Sequence, residues 1–534
     1  MFAKKGSAKK GSAKNKRQTI WQWIFAACLV VILIVAVAAI LISRAEPILR
    51  ARVIETLTTR FHGKVTIDQF HVSLSHGFQV RGEGLKIYGE SDPNPTQPGV
   101  QPLIVIAEFR FQTATLELLH SPTRVNTVYL KGLQVNLPPK EQRKQGNGIR
   151  GKEKIRINVD EFVCEDARLI INTSRPGKLP LQFDIASLRM KNVGRDQPLQ
   201  FEANLTNPKP VGNILSQGSF GPWHADSPRD TPVRGNYSFN HADLGTIKGI
   251  SGILSSIGQY AGSLDKILVD GTTDTPDFRV ATGQPVPLHT TFHAIVDGTN
   301  GDTYLQPVNA TLLHSVIIAT GSVVRSKEVK GHHIQLDVTI NNGRIEDLLK
   351  VGVQTSPPVM TGTVRLKTAL DLPPGNVDVP NRLRLAGNFL IAGTHFTNSK
   401  VQAKVDQLSM RSQGKPKLAN DNIPDNVRSN VGGTFSLNHA VLSFSQLRFQ
   451  APGTQVNLTG KYSLDGKQFD FRGKARLDAK LSQLVTGWKS VLLKPVDPFF
   501  HKNGAGTEVA IKVTGTESEP HFGLDLGGKD KKGK

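Results

Sequence analysis

The chain has 534 residues with 50 glycines, 31 prolines and 6% aromatic residues, so it is too long for one compact core and suits many short strands and turns. Its formal net charge is +22, and nearly half of that charge lies in the two terminal segments. No basic helix and no basic strand with interleaved aromatic residues lies between them, so nucleic acid is not an expected partner.

The chain opens with a basic segment and a long apolar run. Residues 1–19 carry seven basic residues and no acid, and residues 20–43 carry no charge. As a helix, "WIFAACLVVILIVAVAAILI" matches the roughly 30 Å hydrocarbon core of a bilayer. We predict a cytoplasmic segment at 1–19, a single transmembrane helix at 20–43, and export of the remainder. The predicted anchor residues are Trp21, Trp23, Ile24, Phe25, Leu29, Ile32, Leu33 and Ile42.

The alternative for this segment is a cleaved signal peptide. Ala36 and Ala38 fit a small-x-small cleavage site. However, the apolar run exceeds the usual length of about 7–15 residues and continues past that site through Ile42. An uncleaved anchor is therefore favoured.

A helix and then a long series of strands are predicted after the anchor. "EPILRARVIETLTTRF" places Leu49, Val53 and Leu57 on one apolar stripe, with Ile54 and Phe61 beside it. Alternating strand patterns follow, with polar loops at 90–102 and 138–154. Further helices are predicted at 242–258, 344–352 and 479–493. We divide the chain into β regions at 44–200, 201–380 and 381–526, with a basic tail at 527–534.

Short segments recur along the chain. "VDGTTDTPDFRV" (269–280) and "VTGTESEPHFGL" (513–524) share Val, Gly, Thr, Pro and Phe at the same spacing. We interpret both as β-hairpins, with glycine in the turn, proline opening the outgoing strand and phenylalanine pointing inward. The residues in these structural roles are Gly271, Pro276, Phe278, Gly515, Pro520 and Phe522. Weaker repeats begin at Gly235 and Gly460, and at Gly387 and Gly433.

Motifs of catalysis are missing from the sequence. There is no Gly-x-Ser-x-Gly, His-Glu-x-x-His, Cys-x-x-Cys or P-loop pattern, so we predict no enzyme activity and no cofactor or metal. Asp297, Asn300 and Asp302 could ligate calcium, but their spacing favours a tight turn with side-chain-to-backbone hydrogen bonds. Cys164 alternates with Phe162 and is expected to be a small buried residue rather than a reactive thiol.

The two ends of the chain resemble AsmA-like proteins. The resemblance rests on a basic N-terminus, an apolar segment, "RARVIETLTTRFHGKVTIDQFHVSL" and "GFQVRGEGLKIYG" near the start, and "APGTQVNLTGKYSL" with "GTESEPHF" near the end. This family is anchored in the bacterial inner membrane, faces the periplasm and is related to bridge-like lipid-transfer proteins. The resemblance implies phospholipids and the inner membrane as partners, other envelope proteins as further candidates, and lipid transport toward the outer membrane.

The predicted fold class is mainly β, with an N-terminal transmembrane helix, then an extended, curled, antiparallel-rich and groove-like sheet with a few short helices. So few helices cannot cover so much sheet. An apolar groove would suit acyl chains, because each buried methylene contributes about 0.8 kcal/mol. The candidate lipid-binding residues are Phe70, Val72 and Leu74. The alternative is a non-enzymatic envelope scaffold or outer-membrane assembly factor with a closed β core.

Overall fold

The chain forms two compact units, Met1–Arg195 and Asp196–Lys534. The predicted division at 200 and 380 stays a prediction, and the strands on either side of residue 380 pair with each other. The computed structural model describes residues 46–59, 61, 63–73, 78–89, 101–114, 123–138, 157–173, 180–194, 197–224, 227–280, 283–326, 329, 331–352, 356–375, 377–420, 426–464, 467–484, 506–516 and 519–524.

The first unit joins one helix, α1 (46–59), to a mostly antiparallel sheet. Its strands are β1 (Val65–Thr66), β2 (Gln69–Ser73), β3 (Phe78–Ile87), β4 (Ile104–Thr113), β5 (Thr123–Leu137), β6 (Ile157–Ile171) and β7 (Leu181–Val193). Both β1 and β2 pair with β3, and the order then runs through β4 and β5 to β6 and β7. The β5–β6 pair is parallel.

The apolar face of this first sheet is covered by α1. The predicted helical stripe is confirmed, since Leu49, Val53 and Leu57 pack on a buried cluster contributed by strands β1 to β6. A side-chain hydrogen bond from Arg50 to the carbonyl of Ile67 also ties the helix to the sheet. The first unit therefore has the two-layer core of an ordinary globular domain.

The second unit is one long antiparallel meander. Its strands are β8 (Leu199–Pro208), β9 (Val211–Phe220), β10 (Pro232–Asp243), β11 (Ile250–Ser251), β12 (Ile253–Ser263), β13 (Lys266–Val280), β14 (Val286–Val296), β15 (Thr303–Leu312), β16 (Ser315–Arg325), β17 (His332–Arg344), β18 (Met360–Leu372), β19 (Arg384–Phe396), β20 (Ser429–Asn438), β21 (Val441–Ala451), β22 (Thr454–Ser463), β23 (Gln468–Leu477), β24 (Thr507–Thr516) and β25 (Pro520–Leu524). Apart from the short β11, which pairs with β13, each strand pairs with its sequence neighbours.

Helices interrupt this meander at a few places. They are α2 (Ile345–Gly352), α3 (Val379–Arg382), α4 (Ser399–Ser412) and α5 (Pro416–Asn420), with single 3-10 turns at Pro228–Asp230, Leu244–Thr246 and Leu481–Leu484. The prediction of a helix at 344–352 is confirmed by α2. Of the helix predicted at 479–493, residues 481–484 form the last of these turns, and residues 485–493 lie outside the described residues. Helices α3, α4 and α5 were not predicted.

The helix predicted at 242–258 is wrong. After the 3-10 turn the chain enters β12, which pairs with β10 on one side and β13 on the other. Gly249 and Gly252 adopt positive φ angles of 95° and 126°, which interrupt a helix. In the strand, Leu254 is half-buried and Ile257 is exposed. Two residues expected on one helical face therefore lie on opposite faces of a sheet.

The two copies of the longest repeat have different structures. Gly271, Pro276 and Phe278 all lie within β13, so the first copy forms no hairpin, and the register shifts between Thr275 and Phe278 beside the proline. The second copy is a hairpin, because β24 pairs with β25 and Gly515 lies opposite Pro520. In the third repeat, the segments from Gly387 and Gly433 are the adjacent strands β19 and β20.

No helix in the described part of the chain is long and apolar enough to cross a bilayer. The predicted anchor at 20–43, all its residues named above, the basic segment at 1–19 and the tail at 527–534 lie outside the described residues. The mainly β, antiparallel-rich class with few helices is confirmed.

Candidate functional site

One face of the second unit is apolar across nearly its whole width. Residues that are register partners in an antiparallel sheet project from the same face, so pairing defines rows across the strands. One such row contains no charged residue from β8 to β24. Its members are Phe201, Gly218, Gly235, Tyr260, Val269, Ala294, Leu305, Gly321, Leu336, Leu370, Leu385, Leu437, Leu442, Tyr462, Phe469 and Gly515.

The opposite face of the same strands is more polar, although it also exposes Leu215, Ile257, Leu268 and Leu390. Because side chains alternate along a strand, the residues next to the apolar row define an outward row. From β17 to β24 that row is Asp337, Ala369, Ala386, Ser436, Ser443, Lys461, Asp470 and Thr514. The sheet is thus strongly amphipathic, and we call the side that carries the uncharged row the apolar face of the second unit.

The apolar face is half-buried over most of its extent. In β23, the half-buried Phe469 and Phe471 alternate with exposed residues. Half-buried and exposed residues also alternate along most of β12 and β19. The buried apolar cluster of this unit is small, with Ile340, Val364 and Ile391 at its centre. A second packed layer would bury these side chains as fully as α1 buries the cluster of the first unit. In the described part of the second unit, α2 packs on this small cluster through Ile345 and Leu348, but no layer covers the face from β8 to β24 in this way.

Burial increases toward one end of the strands. Along β23, the half-buried Phe469 and Phe471 are followed by the buried Ala475 and Leu477 on the same face. Helix α4 lies at this end, since its C-terminal Ser412 accepts a hydrogen bond from the amide of Ala479 at 2.8 Å. The apolar face is therefore closed at the α4 end and more accessible away from it.

Polar side chains of α4 form hydrogen bonds with backbone groups near the ends of the strands. Gln402 Nε2 donates to the Val427 carbonyl at 3.0 Å, and the Val427 amide donates to Asp406 Oδ1 at 3.0 Å. Ser409 Oγ donates to the Pro452 carbonyl at 2.9 Å. These bonds satisfy backbone groups that the ladder leaves unpaired at its ends, so a polar helix face is stable when buried here. Asn398 caps the helix by accepting from two amides of its first turn.

A chain of aromatic rings lines the apolar face near its C-terminal end. Phe389 lies 6.1 Å from Phe435 and 6.2 Å from Phe444, measured between ring centroids. Phe444 is 5.8 Å from Phe471, which is 6.3 Å from Phe469. These spacings are in the range of favourable aromatic pairs. The rings form a continuous apolar surface across β19 to β23.

Glycines on the apolar face leave room for rings of the neighbouring strands. A Cβ at Gly460 would lie 2.5 Å from a ring carbon of Phe471, and one at Gly235 would lie 2.6 Å from the Tyr260 hydroxyl. A Cβ at Gly271 would meet the Phe292 ring at 2.8 Å. Gly235 and Gly460, which begin the two Gly-x-Tyr-Ser segments, and Gly271 therefore mark sites of close ring packing.

Of the three residues predicted to bind lipid, Phe70 and Val72 lie in the first unit and are covered. Phe70 is 4% exposed, and Val72 packs against the same buried cluster beneath α1. Leu74 lies outside the described residues. The alternation of Phe70 and Val72 located the sheet's inward face correctly, but it carried no information about the helix that covers this face. The prediction that they line an open groove is therefore not supported.

The remaining candidates, Cys164 and the group Asp297, Asn300 and Asp302, lie in environments typical of structural residues. Burial raises the pKa of the Cys164 thiol to about 11, so the thiol stays protonated at neutral pH. Asp297 accepts hydrogen bonds from the amide and hydroxyl of Thr299, which lower the pKa of this carboxyl. Asn300 Oδ1 accepts from the Asp302 amide at 2.7 Å, as a tight turn requires. Within the described ranges, no group of His, Cys, Asp and Glu could hold a metal ion.

Comparison of the chain with protein-family models, with curated proteins and with solved structures finds no match.

Two features of the candidate site were missed at the sequence level. The long apolar face depends on register between strands, and single-strand alternation does not specify register between distant parts of the chain. Helix α4 was missed because its apolar residues do not form the stripe of an ordinary core helix. Its signals were Asn398 as a capping residue and the absence of proline from 399–412.

Proposed function

We propose that the chain is an AsmA-like, inner-membrane-anchored protein that binds phospholipid acyl chains on the apolar face of its second unit and supports their transport toward the outer membrane. The bulk of the chain would then face the periplasm. The observation that carries this proposal is the uncharged row from β8 to β24, in which most residues are half-buried and only Ala294 and Leu437 are buried. Acyl chains are the ligands that such a surface favours, because burying their methylenes removes apolar area from water.

The chemistry of the site agrees with a carrier rather than a catalyst. The apolar face needs no reactive side chain to hold an acyl chain, and a lipid's polar headgroup can remain in water beside it. The closed β core of the scaffold alternative is favoured by one observation, the α1-covered cluster of the first unit. The two descriptions apply to different units of the same chain, so a test must be placed in the second unit.

The test compares two adjacent residues of β19. Phe389 belongs to the ring chain of the apolar face, whereas Leu390 projects from the opposite face and is 41% exposed. Phe389→Asp and Leu390→Asp introduce the same charge one residue apart. The full-length chain and both variants are purified from the membrane, and their bound phospholipid is quantified by mass spectrometry.

We expect Phe389→Asp to remain folded and to lose most of its phospholipid, because water reaches the site while the charge repels acyl chains. Leu390→Asp should retain its phospholipid. A closed core predicts instead that Phe389→Asp unfolds the unit, since burying an unpaired charge is strongly destabilising. Equal phospholipid in folded Phe389→Asp and in the unmodified chain would contradict lipid binding on this face.

A further inference from the structure

Helix α4 has the reverse of the usual orientation of an amphipathic helix. Its buried side is mostly polar, with Gln402, Asp406, Ser409 and Ser412 beside a single buried apolar residue, Met410. Its apolar Val401 and Leu408 are instead 41% and 36% exposed. They are seven residues apart, so they lie on the same line along the helix surface. An apolar ridge that a helix turns away from its own protein is normally covered by something else.

The adjoining helix extends this exposed apolar surface. Helix α5 follows Gly414, which turns the chain with a φ of 75°, and packs against α4. Its Leu418 is 42% exposed, while the neighbouring Ala419 is buried. We refer to residues 399–420, which form α4, α5 and their connection, as the α4–α5 cap.

The charge of the α4–α5 cap specifies the kind of surface that it fits. Its only acidic residue is Asp406, which is buried and occupied by hydrogen bonds from Gln402 and the Val427 amide. Exposed basic residues lie beside the apolar ridge. They are Lys400, Lys404, Arg411, Lys415 and Lys417. Apolar side chains framed by Lys and Arg are characteristic of helices that lie in the interface of an anionic bilayer.

We propose that the α4–α5 cap docks on the surface of an anionic phospholipid bilayer. Val401, Leu408 and Leu418 enter the headgroup boundary, and the lysine ammonium groups beside them contact lipid phosphates. This contact would place the α4 end of the strands, where the apolar face is closed, at a membrane. The inference extends the proposed function, but it concerns a membrane contact and not the cargo of the apolar face.

The experiment uses a fluorescent label confined to the cap, because residues 1–19 are also basic and could bind anionic lipid themselves. The full-length chain carries Cys28→Ser and Leu408→Cys labelled with an environment-sensitive fluorophore, and Cys164 is buried and unreactive. It is held in nanodiscs of phosphatidylcholine. Vesicles of phosphatidylcholine with about 30% phosphatidylglycerol, or of phosphatidylcholine alone, are then added. A matched label at Leu390→Cys reports the outward face of the sheet.

We expect a blue shift at position 408 with the anionic vesicles only, and none at position 390. Each basic residue near an anionic surface changes partitioning about fivefold. We therefore expect one triple variant to raise the vesicle concentration for a half-maximal shift about a hundredfold. It combines Lys400→Gln, Lys404→Gln and Lys417→Gln. The matched triple variant Lys367→Gln, Lys461→Gln and Lys512→Gln, on the outward face of the sheet, should change it less than about threefold.

Three results would overturn the docking proposal. The first is no shift at position 408, as expected if the cap binds an acidic protein instead. The second is an equal shift at position 390. The third is an equal rise, in the two triple variants, of the vesicle concentration for a half-maximal shift. The labelled chain also separates this proposal from the proposed function. If the label at position 408 shifts normally in a chain that carries no phospholipid, acyl-chain binding is contradicted and docking is not. If the chain carries phospholipid but the label does not shift, docking is contradicted and acyl-chain binding is not.

Discussion

Phe70 shows how the environment of one side chain decides its role. It is almost fully buried beneath α1, whereas Phe111, on β4 in the same sheet, is 38% exposed. Both are phenylalanines on alternating strand positions, and sequence pattern alone does not distinguish them. The difference comes from the helix, which packs over one part of the sheet and leaves another part accessible.

This difference predicts unequal costs of truncation. Phe70→Ala should lower the free energy of unfolding of the first unit by about 3–5 kcal/mol, because it leaves a cavity in a packed core. Phe111→Ala should cost clearly less, since water can fill the vacated space. Urea unfolding of the full-length chain, monitored by circular dichroism, measures both. Similar small losses for the two variants would mean that α1 does not cover Phe70.

At the scale of single elements, the strands of the second unit depend on how closely neighbouring strands approach. Gly460 in β22 lies opposite Phe471 in β23 and Phe444 in β21. The missing side chain lets the rings on either side occupy the space above the strand. At Gly235, a Cβ would likewise approach a ring of the neighbouring strand, since it would lie 2.6 Å from the Tyr260 hydroxyl.

Gly460→Ala should therefore destabilise the second unit by about 1–3 kcal/mol, because the added Cβ would lie 2.2 Å from the Asp470 carbonyl and 2.5 Å from the Phe471 ring. Gly352→Ala is the matched control, since its Cβ would meet no atom within 4 Å. It should change the free energy of unfolding by less than about 1 kcal/mol in either direction. Thermal unfolding of both variants provides the measurement. A neutral Gly460→Ala would contradict the close ring packing.

At the scale of the whole molecule, the second unit is organised as a one-dimensional array. Strands from β8 to β25 pair with their sequence neighbours, and the principal contacts between strands follow the same order. At about 4.8 Å per strand, the ladder extends roughly 80 Å along its hydrogen bonds. Stability in such an array is approximately a sum of local terms between neighbours.

The second unit should therefore unfold in a broad transition rather than a single cooperative step. In urea, we expect an apparent m-value well below that of a compact domain of the same length, since only a few strands separate at a time. Transitions followed by circular dichroism and by native-state hydrogen exchange should not coincide. One sharp transition with a large m-value would instead indicate a shared core linking distant strands.

Sequence patterns predicted the class of structure well and its helices unevenly. The stripe of Leu49, Val53 and Leu57 predicted α1 correctly because a core-facing helix needs 3.6-residue periodicity. The prediction of a helix at 242–258 was wrong because apolar residues spaced by three and four also occur in strands, as in β12. Helix α4 reverses the usual pattern by burying its polar side, so periodicity could not reveal it.

The sequence by itself determined the mainly β class, the amphipathic strands, the covering helix of the first unit and the absence of catalytic motifs, because these depend on local alternation and residue type. Only the tertiary structure decided which apolar face is covered and which is accessible. Coverage depends on the register that aligns residues from β8 to β24 and on where α1 and α4 pack. Both arise from contacts between residues far apart in the chain, which alternation within one strand does not encode.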